Sequence, residues 1–130
     1  MHGLDLPFVR VIGAQPWRVL DALYRRAEAF CLASLYEGFG LPAVEAMARG
    51  IPTVVTTGSA LEEVARGAGL LFAPGDVDGC ADQLERALGD APLRAELGRA
   101  GIARAAELDW DRCAEEHRRA YSSVLARSDS

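Results

Sequence analysis

The chain contains no lysine; all 14 of its basic residues are arginine. Set against 19 acidic residues, they leave a formal net charge of −5. A negative chain without a basic cluster offers no electrostatic footprint for nucleic acid or for an anionic membrane surface. The lack of lysine also removes a common point-charge ligand for phosphate. Cysteine is scarce: Cys31, Cys80 and Cys113 are an odd number, widely spaced, with no C-x-x-C pair. That pattern excludes a disulfide scaffold and a zinc site. The two histidines, His2 and His117, stand in no metal-ligand spacing. A cytosolic, reduced, metal-free domain is the expectation. No apolar run approaches the ~20 residues needed to cross a bilayer. Residues 1–11 show neither a long apolar stretch nor a small-residue cleavage site, so no secretory leader is expected. No internal repeat or low-complexity linker divides the chain.

What is present is enough for one core. The chain has 130 residues, half of them hydrophobic and a quarter charged. A single domain of this size buries roughly two-thirds of the surface its unfolded chain exposes. Three short apolar segments, Phe8 to Ile12, Ala29 to Ala33 and Thr53 to Thr56, are rich in β-branched or aromatic residues, and a fourth, Gly69 to Phe72, is rich in leucine. Nearly continuous apolar character is the mark of strands covered on both faces. Helical patterns separate them. One opens at Gln15-Pro16 and carries Val19, Leu20, Leu23 and Tyr24 on a face. The next opens at Pro42 and closes at Gly50. A third starts at the capping-box pattern Ser59-Ala60-Leu61-Glu62 and runs to Gly67.

Strand and helix alternating over short connections imply a parallel sheet with right-handed crossovers. After the turn Ala73-Pro74-Gly75-Asp76, only helices follow. One carries Val77, Cys80, Ala81, Leu84, Ala87 and Leu88. Another, capped by Asp90, carries Leu93, Leu97 and Ala100, with Gly101 a weak point inside it. The last, capped by Asp109, shows Trp110, Cys113, Ala114, His117, Tyr121, Val124 and Leu125 in one stripe. That stripe is expected to be core, with His117 packed and hydrogen-bonded in it. Residues 128–130 read as a frayed tail. The expected fold is α/β: a Rossmann-like parallel sheet of about four strands with flanking helices, then a helical segment over about 90–127.

The chemistry concentrates in residues 34–50, SLYEGFGLPAVEAMARG. This segment leaves a buried strand and enters a helix, the place where open parallel sheets bind ligands. Gly38 and Gly40 flank Phe39, giving the backbone freedom to approach a ligand closely. The following helix aims its first N–H groups at the same place, an arrangement suited to phosphate. Glu37 stands in the loop, and Glu45 stands eight residues later, about one turn into the helix. A carboxylate accepts two hydroxyl hydrogen bonds side by side, which suits a vicinal diol of ribose or a hexose. Taken singly, Glu37 reads equally as a solvated loop residue, and Glu45 as a favourable charge near a helix start.

This segment resembles the E-x7-E motif of the retaining, nucleotide-sugar-dependent glycosyltransferases of the two-domain B-type fold, the group 1 family. Glu37 and Glu45 match its two glutamates, and Gly38-Phe39-Gly40-Leu41-Pro42 matches its common spacer. Ile51 to Val55, Ala60 to Gly69 and the Leu108-Asp109-Trp110 corner extend the resemblance over nearly the whole chain. It implies that Glu45 holds the ribose hydroxyls of a nucleotide-diphospho-sugar donor. It also implies that Glu37 is the catalytic residue, in contact with the transferred sugar, with no covalent role for either glutamate. The backbone amides of Phe39, Gly40 and Leu41 face the donor sugar and diphosphate. No metal or other cofactor is implied; the nucleotide-sugar is a substrate.

The same resemblance implies a complete donor domain with strand order 3-2-1-4-5-6 and a separate N-terminal acceptor domain. On that frame residues 1–130 are one partial donor-binding domain. The first two strands are absent, as are the Arg and Lys that neutralise the diphosphate. Phe8 to Ile12 then either pairs directly with Ala29 to Ala33 or leaves that edge open to another chain. The isolated chain is expected to be inactive, its partner being the missing acceptor domain, a partner chain or a second copy. Location is expected to be cytoplasmic, or peripheral at the inner membrane face for the full-length enzyme. The alternatives are a non-catalytic nucleotide-sugar-binding or interaction module, and an unrelated nucleotide-binding α/β domain such as a nucleotide-sugar epimerase.

Overall fold

A computed structural model describes residues 7–128. The element order is α1 (Trp17–Arg26), β1 (Phe30–Leu32), α2 (Leu41–Ala48), β2 (Thr53–Thr56), α3 (Ala60–Val64), β3 (Gly69–Phe72), α4 (Val77–Gly89), α5 (Ala91–Glu107) and α6 (Trp110–Ser128). The three strands form one parallel sheet in the order β1-β2-β3. Phe30 lies opposite Thr53 and Leu32 opposite Val55, while Thr53 faces Gly69 and Thr56 faces Phe72. β2 is central and every one of its residues is buried, as a strand covered on both faces must be.

The two faces bury different sets. On one, Ala43 and Met47 of α2, Leu61 and Val64 of α3, and Val55 form a cluster joined by Ala100 and Ala105 of α5. On the other, Val54, Phe72 and Ala87 meet Cys31, Leu70, Cys80 and Leu84, bringing α4 against the sheet. The result is a three-layer α/β/α body, Rossmann-like in its parallel sheet and flanking helices.

α2 and α5 cross closely because glycines line the crossing. A Cβ on Gly98 would stand 2.8 Å from the Gly50 carbonyl oxygen, and one on Gly101 would stand 3.3 Å from Met47. Gly101 is therefore a buried packing position, not the weak point expected from helix propensity alone. Arg104 supplies a second tie: its guanidinium donates to the Val64 and Glu63 carbonyls at the end of α3, 3.1 and 2.9 Å away. These carbonyls lie at a helix C-terminus, where intrahelical donors run out.

Three expectations need correction. Phe8 to Ile12 is not a strand; the sheet has three strands, and this run is exposed, Val11 to 94%. An apolar run becomes a strand only when a neighbour takes its backbone hydrogen bonds, and among the described residues none does. The outer edge of β1 is accordingly unpaired there. Second, the α6 stripe is not core: Trp110 is 75% exposed, and Tyr121, Val124 and Leu125 are comparably exposed. His117 is hydrogen-bonded, its Nδ1 2.8 Å from the Cys113 carbonyl oxygen, but it is exposed rather than packed. Third, α3 ends at Val64, and a turn carries the chain to Gly67. His2, Asp129 and Ser130 lie outside the described residues, as do most of the first eleven residues, for which no leader was expected. Among the described residues no helix is long and apolar enough to cross a membrane.

Candidate functional site

β1 ends at Leu32 and delivers the chain to the loop between Ser34 and Gly40. Two side-chain bonds fix that delivery. Thr56, at the end of the central strand, donates its hydroxyl to the Ser34 carbonyl at 2.5 Å. The Ser34 hydroxyl donates to Glu37 Oε1 at 2.8 Å. Glu37 is thus held, half-buried, at the carboxyl end of the sheet by a chain of bonds that starts on β2.

Gly40 is the N-cap of α2 and has φ +92. A left-handed turn here favours glycine on backbone grounds. A second constraint comes from the core: a Cβ on Gly40 would lie 2.3 Å from Cδ2 of the buried Leu61. Gly38 differs. It has neither positive φ nor any protein atom within reach of an added Cβ. Ala43 donates to the Gly40 carbonyl at 2.9 Å, closing the first turn of α2. The amides of Phe39, Gly40 and Leu41 find no acceptor among the described residues. Pro42 follows at a position where its missing N–H costs nothing.

At its far end, α2 closes with the amide of Gly50 bonded to the Met47 carbonyl and that of Ile51 to the Ala46 carbonyl. This double bond pattern around a left-handed glycine terminates a helix firmly.

Glu45 is half-buried on α2, and its neighbour across the helix pair is Tyr24 of α1. The Tyr24 hydroxyl donates to the Pro42 carbonyl at 3.3 Å. Burial pushes the Tyr24 phenol upward from its ordinary pKa, and the negative charge of Glu45 adds to the shift. The sequence reading missed this tyrosine as a site neighbour, although it lies on the helix face that the spacing picked out. It also missed Arg49. That guanidinium lies over the rings of Tyr24 and Trp17, 4.9 and 5.5 Å from their centroids. It also pairs with Asp21 at 3.0 Å and donates to the Glu45 carbonyl at 2.8 Å. α1 buries no residue fully, so this cation between two rings, with its carboxylate, is what holds α1 against α2.

Around the loop Leu35, Tyr36, Phe39 and Leu41 are exposed, so the two glutamates sit beside an apolar rim. A cleft of about 350 Å³, lined by Tyr24, Arg49, Ile51 and Pro52 among others, lies at the opposite end of β2. Another of about 390 Å³ is lined by Ser59, Glu62, Glu63 and Arg66 among others. Neither takes in Glu37 or Glu45. Among the described residues no group of three or more His, Cys, Asp or Glu is placed to hold a metal ion.

Fold and site together define a Rossmann-like domain with a glycine loop and two carboxylates at the carboxyl end of its sheet. Residues 6–104 match the family described as "Glycosyl transferases group 1", and the chain belongs to that family. It is 37% identical over 120 residues to an O-antigen chain mannosyltransferase B of Escherichia coli, which covers 92% of this chain and 32% of the relative. Its fold is similar to that of a sucrose-phosphate synthase of Thermosynechococcus elongatus, with a TM-score of 0.75 at 30% identity over 89% of this chain and 30% of the other. It also resembles the C-terminal domain of a group 1 glycosyl transferase of Francisella tularensis, with a TM-score of 0.66 at 29% identity, covering 76% of this chain and 51% of that one. The chain spans about a third or less of the length of the curated relatives it matches, 32% of one and 11% of another.

Proposed function

We propose that this chain is the donor-binding part of a glycosyltransferase that moves a hexosyl unit from a nucleotide-diphospho-sugar with retention of configuration. The observation that carries the reading is the loop from Glu37 to Glu45: a left-handed Gly40, three amides with no acceptor among the described residues, and a carboxylate on either side. Amides at the start of a helix suit the donor's phosphates. In this reading the Glu45 carboxylate accepts from the ribose hydroxyls, and Glu37, steadied by Ser34, accepts from hydroxyls of the transferred sugar. Gly38 gives the backbone room to approach the donor. The protein's contribution is positioning and charge placement around a departing nucleoside diphosphate. No metal or cofactor enters this scheme.

The acceptor domain is a further part of the reading, supplied by a longer chain or by a partner. Without it, and with no lysine to meet the diphosphate, these residues alone transfer no sugar. The open edge of β1 is proposed to pair with that missing part or, in its absence, with a second copy. Light scattering at micromolar concentration showing a clean monomer would remove the self-association. The proposed setting is the cytoplasm, where nucleotide-sugars are available. A non-catalytic binding module is favoured instead only by the lack of lysine.

The test is donor affinity, read by calorimetry in the protein that carries this domain. Glu45→Ala is expected to weaken binding by roughly 1.5–3 kcal/mol for each charge-assisted bond lost. Glu37→Ala is expected to lower turnover while leaving affinity for the bare nucleoside diphosphate unchanged, since that ligand lacks the sugar. Equal donor affinity in the Glu45 variant and the parent would overturn the reading.

A further inference from the structure

Cys31 and Cys80 lie 49 positions apart in sequence, yet their sulfur atoms are 3.8 Å apart. The first sits in the middle of β1 and the second in the first turns of α4. Both belong to the apolar layer between α4 and the sheet, beside Val54, Phe72 and Ala87. Both are only half-buried, so small reagents reach them. Two sulfurs in van der Waals contact need to close to about 2.05 Å to bond. The thiol pair therefore stands roughly one small side-chain adjustment from a disulfide. Cys113 has a different neighbourhood, 3.6 Å from His117 Nδ1 within α6.

We propose that Cys31 and Cys80 form an oxidative modification site that closes to an intramolecular disulfide when a hydroperoxide supplies the oxidising equivalents. Burial, with the Cys80 sulfur beside it, holds the Cys31 thiol above the ordinary cysteine range; either sulfur can meet the oxidant first, and both orders give the same bond. With Cys80 first, its sulfur attacks hydrogen peroxide, the O–O bond breaks, and a sulfenic acid and one water result. Cys31 then attacks that sulfur. The S–S bond forms, the S–O bond breaks, and the departing hydroxide leaves as a second water with the Cys31 proton. Both sulfurs are oxidised and the peroxide is reduced. The bond would bracket residues 31–80, the segment that contains the whole candidate site, and tie β1 to α4.

The experiment uses the full chain and a Cys113→Ser variant, treated with hydrogen peroxide, then denatured and alkylated with a maleimide. Expected is the loss of two hydrogens and of both alkylation sites in the variant. A peptide joining Cys31 to Cys80 should appear, and reducing agent should restore both thiols. Closure in the folded chain should be at least about tenfold faster than in denaturant, because the fold brings the thiols together. In Cys31→Ser the sulfenic acid on Cys80 should persist and be trapped by dimedone. Two thiols remaining after treatment, a linkage between chains, or closure no faster folded than unfolded would each overturn the proposal.

Discussion

α2 and α6 are both helices with apolar faces, and the molecule treats them oppositely. α2 buries Ala43, Ala46 and Met47 completely, between the sheet and the glycine-lined face of α5. α6 carries a longer apolar stripe and leaves Trp110, Tyr121, Val124 and Leu125 largely exposed. Apolar periodicity thus states which face of a helix wants cover; it does not state that this chain supplies the cover. The same division runs through the strands. β2 has a neighbour on each edge and is fully buried, whereas the apolar run Phe8 to Ile12 has none among the described residues and is exposed.

The largest effect that sharpens this contrast is a pair of truncations. Met47→Ala should cost about 3 kcal/mol of unfolding free energy, as buried large-to-small changes do. Trp110→Ala should stay within about 0.5 kcal/mol in the isolated chain. Denaturant titration of both variants checks this, and equal losses would erase the distinction between the two helices.

A middle-sized effect separates the two glycines of the loop. Gly40→Ala must place a Cβ against Leu61 on a left-handed backbone, so a loss of about 2 kcal/mol is expected. Gly38→Ala meets no protein atom and should cost at most about 0.5 kcal/mol. Thermal melts of the two variants decide it; a Gly38 loss as large as the Gly40 loss would show that the loop constrains both positions.

The smallest effect is electrostatic and belongs to α1. Hydrogen bonds from Arg25 and then Arg49 hold the Asp21 carboxyl below its ordinary range. A depressed carboxylate adds stability that is fully present above its unfolded pKa, about 3.9, and is lost as pH falls through the lower folded value. The melting-temperature gap between the parent and Asp21→Asn should therefore be constant from neutral pH to about pH 5 and close below pH 4. A gap independent of pH down to the acid limit would remove Asp21 from the clamp.

How much of this could be read in the sequence follows from the same contrast. β2, β3, α2, α4 and α5 were legible because their signals are local: continuous apolar runs, the turn ending at Asp76, the cap Asp90, and Gly50 at a helix end. The position of Glu37 and Glu45 at the carboxyl end of β1 was legible from the strand-loop-helix order. Gly40 was marked as special, but its constraint from Leu61 was not, because that contact spans 21 positions. Arg49 between two rings, Arg104 on the end of α3, and the Cys31–Cys80 pair were all unread for that reason. Each joins residues that only the folded sheet brings together. The α6 stripe misled because its periodicity is genuine while its cover is absent from the described residues.

The central claim is that the turn around Gly40 holds a nucleotide-diphospho-sugar between Glu37 and Glu45. The most direct measurement is a titration of isotopically labelled protein with a panel of nucleoside-diphospho-hexoses, followed through backbone amide resonances. The amides of Phe39, Gly40 and Leu41 are expected to shift most for at least one donor, and Glu45→Ala is expected to abolish those shifts at the same concentrations. Shifts confined to the opposite end of β2, around Ala27, Gly50 and Ile51, or unchanged shifts in the Glu45 variant, would contradict that placement.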